Sequence, residues 1–126
     1  MTAVLDASAV LALLYREPGH DQVADLLDGA VISAVNFSEI RQKLAQHGAE
    51  PALADTLLAL GARVLPFTAD AAGAAAALWP ATRSRGLSLA DRACLAAAQA
   101  VPDGVAVTAD ATWAGLDLGV AVRVIR

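Results

Sequence analysis

Short apolar runs alternate along this chain with segments of helical length and periodicity, and that alternation restricts the fold more than any other feature. The runs fall at residues 3–5, 30–33, 63–66, 105–108 and 121–125. Between them the spacing predicts helices over 8–16, 20–27, 36–46, 51–60, 69–78 and 89–100, with a short helical turn at 111–115. The punctuation agrees: Pro18-Gly19 stops the first helix, Gly48 follows the third, Pro51 opens the fourth and Ser88 caps the sixth. Strands that alternate with helices imply a largely parallel sheet covered on both faces. The expected fold class is α/β, with a central, mainly parallel five-stranded sheet. With 126 residues, 57% of them hydrophobic, the chain has material for one core and lacks the length for a second, so one domain over 1–126 is expected.

This arrangement gives four acidic residues a shared address. Asp6 follows the first strand and Asp110 lies two residues past Thr108, so both project from the carboxyl edge of the sheet. Glu39 is expected in the first turn of the helix after the second strand, which starts at the same edge. The helix carrying Asp91 must end where the strand at Val105 begins, and about 12 residues at 1.5 Å each place its start across the sheet at that edge too. In open α/β sheets this rim, where the strand order reverses, is the usual ligand site. Carboxylates that converge there repel one another unless a cation lies between them, which points to a metal site.

Each acid also has a bland reading. An Asp or Glu in the first turn of a helix is ordinarily a cap worth roughly 0.5–2 kcal/mol. Asp91 stands third after Ser88, Glu39 third after Asn36 in what reads as a capping box, and Asp110 can cap the short turn that follows it. Asp6 is the hardest to explain as a cap, because the apolar run from Ala3 through Leu14 otherwise belongs to the core and a charge inside it is costly without a partner. Ser8 and Thr108, two residues from Asp6 and Asp110, and Asn36 before Glu39 offer groups that could orient the carboxylates; Ser8 equally suits a helix cap.

Other chemistries lack their signatures. There is no GxGxxG, Walker loop, HExxH or paired CxxC, and the single Cys94 lies in an apolar stretch that suits a buried small hydrophobe. His20 and His47 read as surface residues, and Trp79 and Trp113 as core or interface anchors. Thirteen acidic residues against nine Lys or Arg give a net charge of −4, so nucleic-acid binding must be local or metal-assisted. Arg83, Arg85 and Arg92 flank Asp91 and are the candidate contacts for a nucleic-acid phosphate backbone; a solvated surface is their ordinary role. Asp6 interrupts the first apolar run, against a signal peptide, and no stretch reaches the length needed to span a bilayer, so a soluble cytoplasmic protein is expected.

Three stretches together carry a family resemblance: Val4-Leu5-Asp6-Ala7-Ser8-Ala9, the run from Leu87 through Asp91 to Leu95, and Val107-Thr108-Ala109-Asp110 followed by Trp113. In their order and spacing the chain resembles the PIN-domain nucleases, and among those the VapC toxins of bacterial toxin–antitoxin pairs. The resemblance implies a PIN-like three-layer α/β/α fold, an endoribonuclease dependent on Mg²⁺ or Mn²⁺, a homodimer, and silencing by a cognate VapB-like antitoxin. Asp6, Glu39, Asp91 and Asp110 match the family's acidic quartet, with Asp6, Asp91 and Asp110 as the metal contacts. Asp117 has no counterpart in that motif.

Three other readings compete. A receiver domain of similar length needs adjacent acids after the first strand, a phosphoacceptor Asp after the third and a Lys after the fifth; here Asp6 stands alone, Pro66-Phe67 follows the third run, and the sole Lys is Lys43. A metal phosphatase would use the same ions on small phosphomonoesters. A non-catalytic protein would use the acidic pocket to dock an Arg from a partner.

Overall fold

All five apolar runs join one sheet in the computed structural model, which describes residues 1–126. The strands are β1 Thr2–Leu5, β2 Val31–Ser33, β3 Arg63–Leu65, β4 Gly104–Thr108 and β5 Ala121–Val124. Every pair is parallel and the order is β3-β2-β1-β4-β5, so β1 lies at the centre with its successor on one side and β4 on the other. The strand order therefore reverses between β1 and β4, whose register pairs Leu5 with Val107.

The helices are α1 Ala7–Tyr15, α2 His20–Leu26, α3 Ala34–Gln46, α4 Asp55–Ala59, α5 Ala69–Ala77, α6 Trp79–Thr82 and α7 Leu89–Ala100. Strand pleating sends alternate side chains to opposite faces, and the sheet divides the core accordingly. Leu5, Ile32 and Val107 face a cluster with Val10 of α1, Val23 of α2, Ile40 and Leu44 of α3 and Leu57 of α4. Val4, Val31 and Ala106 face a second cluster with Ala75 of α5, Cys94 and Leu95 of α7 and Trp113. This is the three-layer α/β/α architecture expected. Residues 93–98 of α7 are all buried, five of them Ala or Cys, so the helix lies close over β1 and β4. Close approach is needed where the chain re-enters the sheet, since a Cβ at Gly104 would collide with the Ala98 carbonyl.

The expected boundaries shift most in five places. The first helix starts at Ala7 and is capped by Asp6, with Ser8 already inside its first turn. The third starts at Ala34, because Ser33, the last residue of β2, caps it through Val35 N–H at 3.3 Å. Glu39 consequently sits in the second turn, and Asn36 opens no capping box. The fourth is broken into a 3-10 turn at Pro51–Ala54 and the short α4. Residues 79–85 form α6 and a second 3-10 turn, Arg83–Arg85, where no element was expected; Pro80 falls in the first turn of α6, where its missing N–H costs nothing. The turn after β4 closes as a 3-10 helix over Ala111–Trp113, shorter than 111–115.

Candidate functional site

The acidic side chains are delivered by four separate elements to the carboxyl ends of β1 and β4. Asp6, Glu39, Asp91 and Asp110 all line one cavity of about 160 Å³, together with Ala7, Ser8, Leu11 and Lys43. Asn36, Thr108, Arg83, Arg85, Arg92 and Asp117 do not line it.

Asp6 is the anchor of this cavity, with only 3% of its surface exposed. It takes extended backbone geometry as the N-cap of α1, the role that the apolar run around it makes hard to assign from sequence. Its Oδ1 accepts from Ala9 N–H at 2.8 Å and from Ser8 Oγ at 2.8 Å, and its Oδ2 accepts from Thr108 Oγ1 at 2.6 Å and Ser8 Oγ at 2.9 Å. The same hydroxyls accept from the following strand end: Ser8 Oγ from Ala109 N–H at 2.9 Å, and Thr108 Oγ1 from Asp110 N–H at 3.0 Å. Each hydroxyl thus donates to Asp6 and accepts from the β4 loop, which locks the exits of β1 and β4 together. No Lys or Arg joins this network. Burial is the largest influence on Asp6 and raises its pKa from 3.8 to about 6, against the lowering effect of the Thr108, Ala9 and Ser8 hydrogen bonds; the neighbouring Asp91 charge raises it further.

The other three acids keep free oxygens. Asp91 forms a complete capping box with Ser88: its Oδ2 accepts from Ser88 N–H at 2.9 Å, and Ser88 Oγ accepts from Asp91 N–H at 3.2 Å. Asp110 caps the last 3-10 turn through Oδ1, which accepts from Thr112 N–H at 2.9 Å and Thr112 Oγ1 at 2.8 Å. In both residues one oxygen is committed to capping and the other accepts no hydrogen bond within the chain. Glu39 is half-buried, and its pKa is raised by burial first and by Asp91 second, while Lys43 opposes the shift. Capping and site formation coexist in Asp6, Asp91 and Asp110 because the cap fixes one oxygen and the carboxylate has two.

Asn36 acts at a distance from the cavity. It is fully buried in α3, and its Nδ2 donates to the Ala90 carbonyl at 3.1 Å, one residue before Asp91. That single bond ties the helix of Glu39 to the helix of Asp91, while Asn36 Oδ1 has no partner. The arginines expected near RNA are engaged within the chain. Arg85 donates to the carbonyls of Thr112, at 2.8 Å, and Ala114, Arg92 donates to the Leu87 carbonyl at 3.1 Å, and Arg83 lies 4.8 Å over the ring of Trp79. Arg85 thereby holds the turn that Asp110 caps, and Trp113 within that turn is fully buried. Lys43 is the residue of this site that sequence reasoning passed over. Its spacing of four from Glu39 on one helix placed it on the same face, and that signal was available.

A divalent cation suits the donor set. Hard ions prefer carboxylate oxygens and water, and open oxygens on Glu39, Asp91 and Asp110 surround a buried Asp6 that has no basic neighbour in its hydrogen bonds. As the side chains stand, no three of them form a group able to hold a metal ion, so the cavity supplies the ligands without closing them.

The PIN domain family model matches residues 3–117. Among solved structures, a chain of a toxin–antitoxin complex from Klebsiella pneumoniae superposes with a TM-score of 0.73 at 20% identity, covering 100% of this chain and 98% of its own. A chain of FitAcB from Neisseria gonorrhoeae gives 0.67 at 23% identity, covering 97% and 96%, and one of VapBC2 from Rickettsia felis, bound to a DNA fragment of its promoter, gives 0.65 at 13%, covering 100% of both. No curated protein matches by sequence.

Proposed function

This chain belongs to the PIN domain family, and on that premise we propose that it is an endoribonuclease using Mg²⁺ or Mn²⁺ and acting as the toxin of a VapBC-type pair. The observation that carries the proposal is the convergence of Asp6, Glu39, Asp91 and Asp110 from four elements on one cavity at the reversal of strand order. When bound, the ion supplies an acidified water and neutralises charge on the phosphodiester. The residues of the chain then divide the work. Asp6 provides a rigid carboxylate whose orientation Ser8 and Thr108 fix, Asp91 and Asp110 present their uncommitted oxygens as the further metal contacts, and Glu39 supplies a movable carboxylate that can take a proton or hold a water. These assignments, and a single nuclease domain over 1–126, form part of the proposal.

The toxin role draws support from the fold shared with chains of toxin–antitoxin complexes, and it brings an antitoxin partner and a cytoplasmic setting. No helix is long and apolar enough to cross a membrane. A homodimer is part of the reading, supported by the exposed leucines Leu53, Leu58 and Leu60 around α4. The test is cleavage of single-stranded RNA with Mg²⁺, with Mn²⁺ and with chelator, beside nitrophenyl phosphate and beside the Asp6→Asn variant. Metal-dependent RNA cleavage that the variant lacks is expected. Cleavage that persists in chelator or in the variant overturns the assignment.

A further inference from the structure

A second cavity, of about 590 Å³, opens directly beside the acidic one and shares two of its residues, Glu39 and Lys43. Its volume lies in the range of sites for small organic ligands, roughly 300–1,000 Å³. One wall is a stripe of α3 at helical spacing, Ser38, Gln42, Lys43 and Gln46, and the opposite wall includes the half-buried ring of Phe67 after β3. The two glutamines differ from the chain's others. Gln22 and Gln99 donate to the carbonyls of Ile125 and Leu118, whereas Gln42 and Gln46 are exposed and have no partner in the chain.

We propose that this groove holds the nucleotide next to the cleaved bond of a single-stranded RNA, with Lys43 on its phosphate, Gln42 and Gln46 on the edge of its base, and Phe67 as the apolar wall. The inference rests on the nuclease reading of the adjoining cavity. Four carboxylates and a net charge of −4 repel the backbone that the site must approach, and a cation beside them offsets part of that repulsion. Lys43 is the one cation lining either cavity, and it takes part in no salt bridge. Single-stranded RNA also exposes what the groove can read. Its unpaired bases offer donor and acceptor edges to side-chain amides and an apolar face to an aromatic ring. A double helix hides both.

The experiment measures kcat and KM of the full chain with Mn²⁺ on short single-stranded RNAs differing in the base on either side of the scissile bond. The wild type should prefer one base at one of these positions. Gln42→Ala and Gln46→Ala, both at exposed positions, should raise KM by roughly tenfold and flatten that preference while kcat holds within about twofold. Lys43→Met should weaken KM for every base alike and lower the slope of log KM against log salt by about 0.7, the value for one phosphate contact on a single strand, with Lys43→Arg restoring the slope. Cleavage by the wild type with KM, base preference and salt slope unchanged in all the variants overturns the subsite and leaves the nuclease reading standing. Variants that keep RNA kinetics but escape inhibition by a cognate antitoxin make the groove a protein-docking surface and likewise overturn it. A wild type that cleaves no RNA with Mg²⁺ or Mn²⁺ removes the nuclease reading and the subsite together.

Discussion

Replacing Asp6 by Asn should stabilise the metal-free protein at neutral pH while abolishing cleavage. Burial lifts the pKa of Asp6 from 3.8 to about 6, so above pH 6 the folded state carries a charge it would rather lose. At about 1.4 kcal/mol per pH unit the displacement corresponds to about 3 kcal/mol of stability. Between pH 4 and 6 the folded protein holds a proton that the unfolded chain has released. This contribution is therefore complete below about pH 4, falls as pH rises and is gone above about pH 6. The hydrogen bonds tolerate the exchange. The Asn oxygen can accept from Ala9 N–H and Ser8 Oγ as Oδ1 does now, and its amide can donate to Thr108 Oγ1. The Thr108 hydrogen then turns to Ser8 Oγ, 3.2 Å away. Allowing about 1 kcal/mol for imperfect geometry leaves Asp6→Asn more stable by about 2 kcal/mol at pH 7.5, or roughly 5–10 °C in Tm. Urea and thermal unfolding of both proteins from pH 4 to 8 in chelator give the difference, in which the titration of unaltered groups largely cancels. The gap should close toward pH 4. Adding Mn²⁺ should reverse the ranking at neutral pH, since an ion at a hundred times its Kd adds about 2.7 kcal/mol to the wild type alone. A variant that is no more stable than the wild type at pH 7.5, or a gap that does not change with pH, refutes the account of Asp6 as a destabilised charge awaiting a cation.

Three further outcomes follow from the hydrogen bonds around the site. Thr108→Val keeps the volume but removes the donor to Asp6 and the acceptor for Asp110 N–H; Mn²⁺ affinity by titration calorimetry should fall roughly 10–100-fold, with a loss of about 1–3 kcal/mol in urea unfolding. Asn36→Leu removes the tie to Ala90 but also the unpartnered Oδ1, so stability should stay within about 1 kcal/mol while kcat drops through loss of register between Glu39 and Asp91. Arg85→Ala frees the carbonyls of Thr112 and Ala114 and should cost about 1–2 kcal/mol, with faster amide hydrogen exchange confined to the turn after Asp110.

The sequence made the acidic cavity legible because strand–helix alternation alone decides which edge of a parallel sheet a residue occupies. Asp6, Asp91 and Asp110 needed no side-chain detail for that placement. The start of α3 departs from the sequence expectation for a reason visible in its residues. Asn36-Phe37-Ser38-Glu39 satisfies the local pattern of a capping box, but Ser33 leaves β2 straight into the helix and caps it three residues earlier. Asn36 is then carried into the interior, where its amide serves a contact 54 positions away that no local pattern encodes. The same limit applies to Arg85 and Arg92, whose hydrogen bonds to the carbonyls of Thr112, Ala114 and Leu87 are visible only in the fold. Asp6 as a cap was hard to foresee because its burial comes from the β4 loop, a hundred residues downstream.

The central position of β1 has a consequence for biosynthesis. A chain that reaches only its first 103 residues carries Asp6, Glu39 and Asp91, but not the strand whose exit clamps Asp6 in place. Until β4 emerges and docks, the nascent polypeptide holds most of the ingredients of a cutting enzyme and no blade. A chain truncated anywhere upstream of Thr108 therefore lacks the hydroxyl that orients Asp6 and the complete strand that pairs with β1.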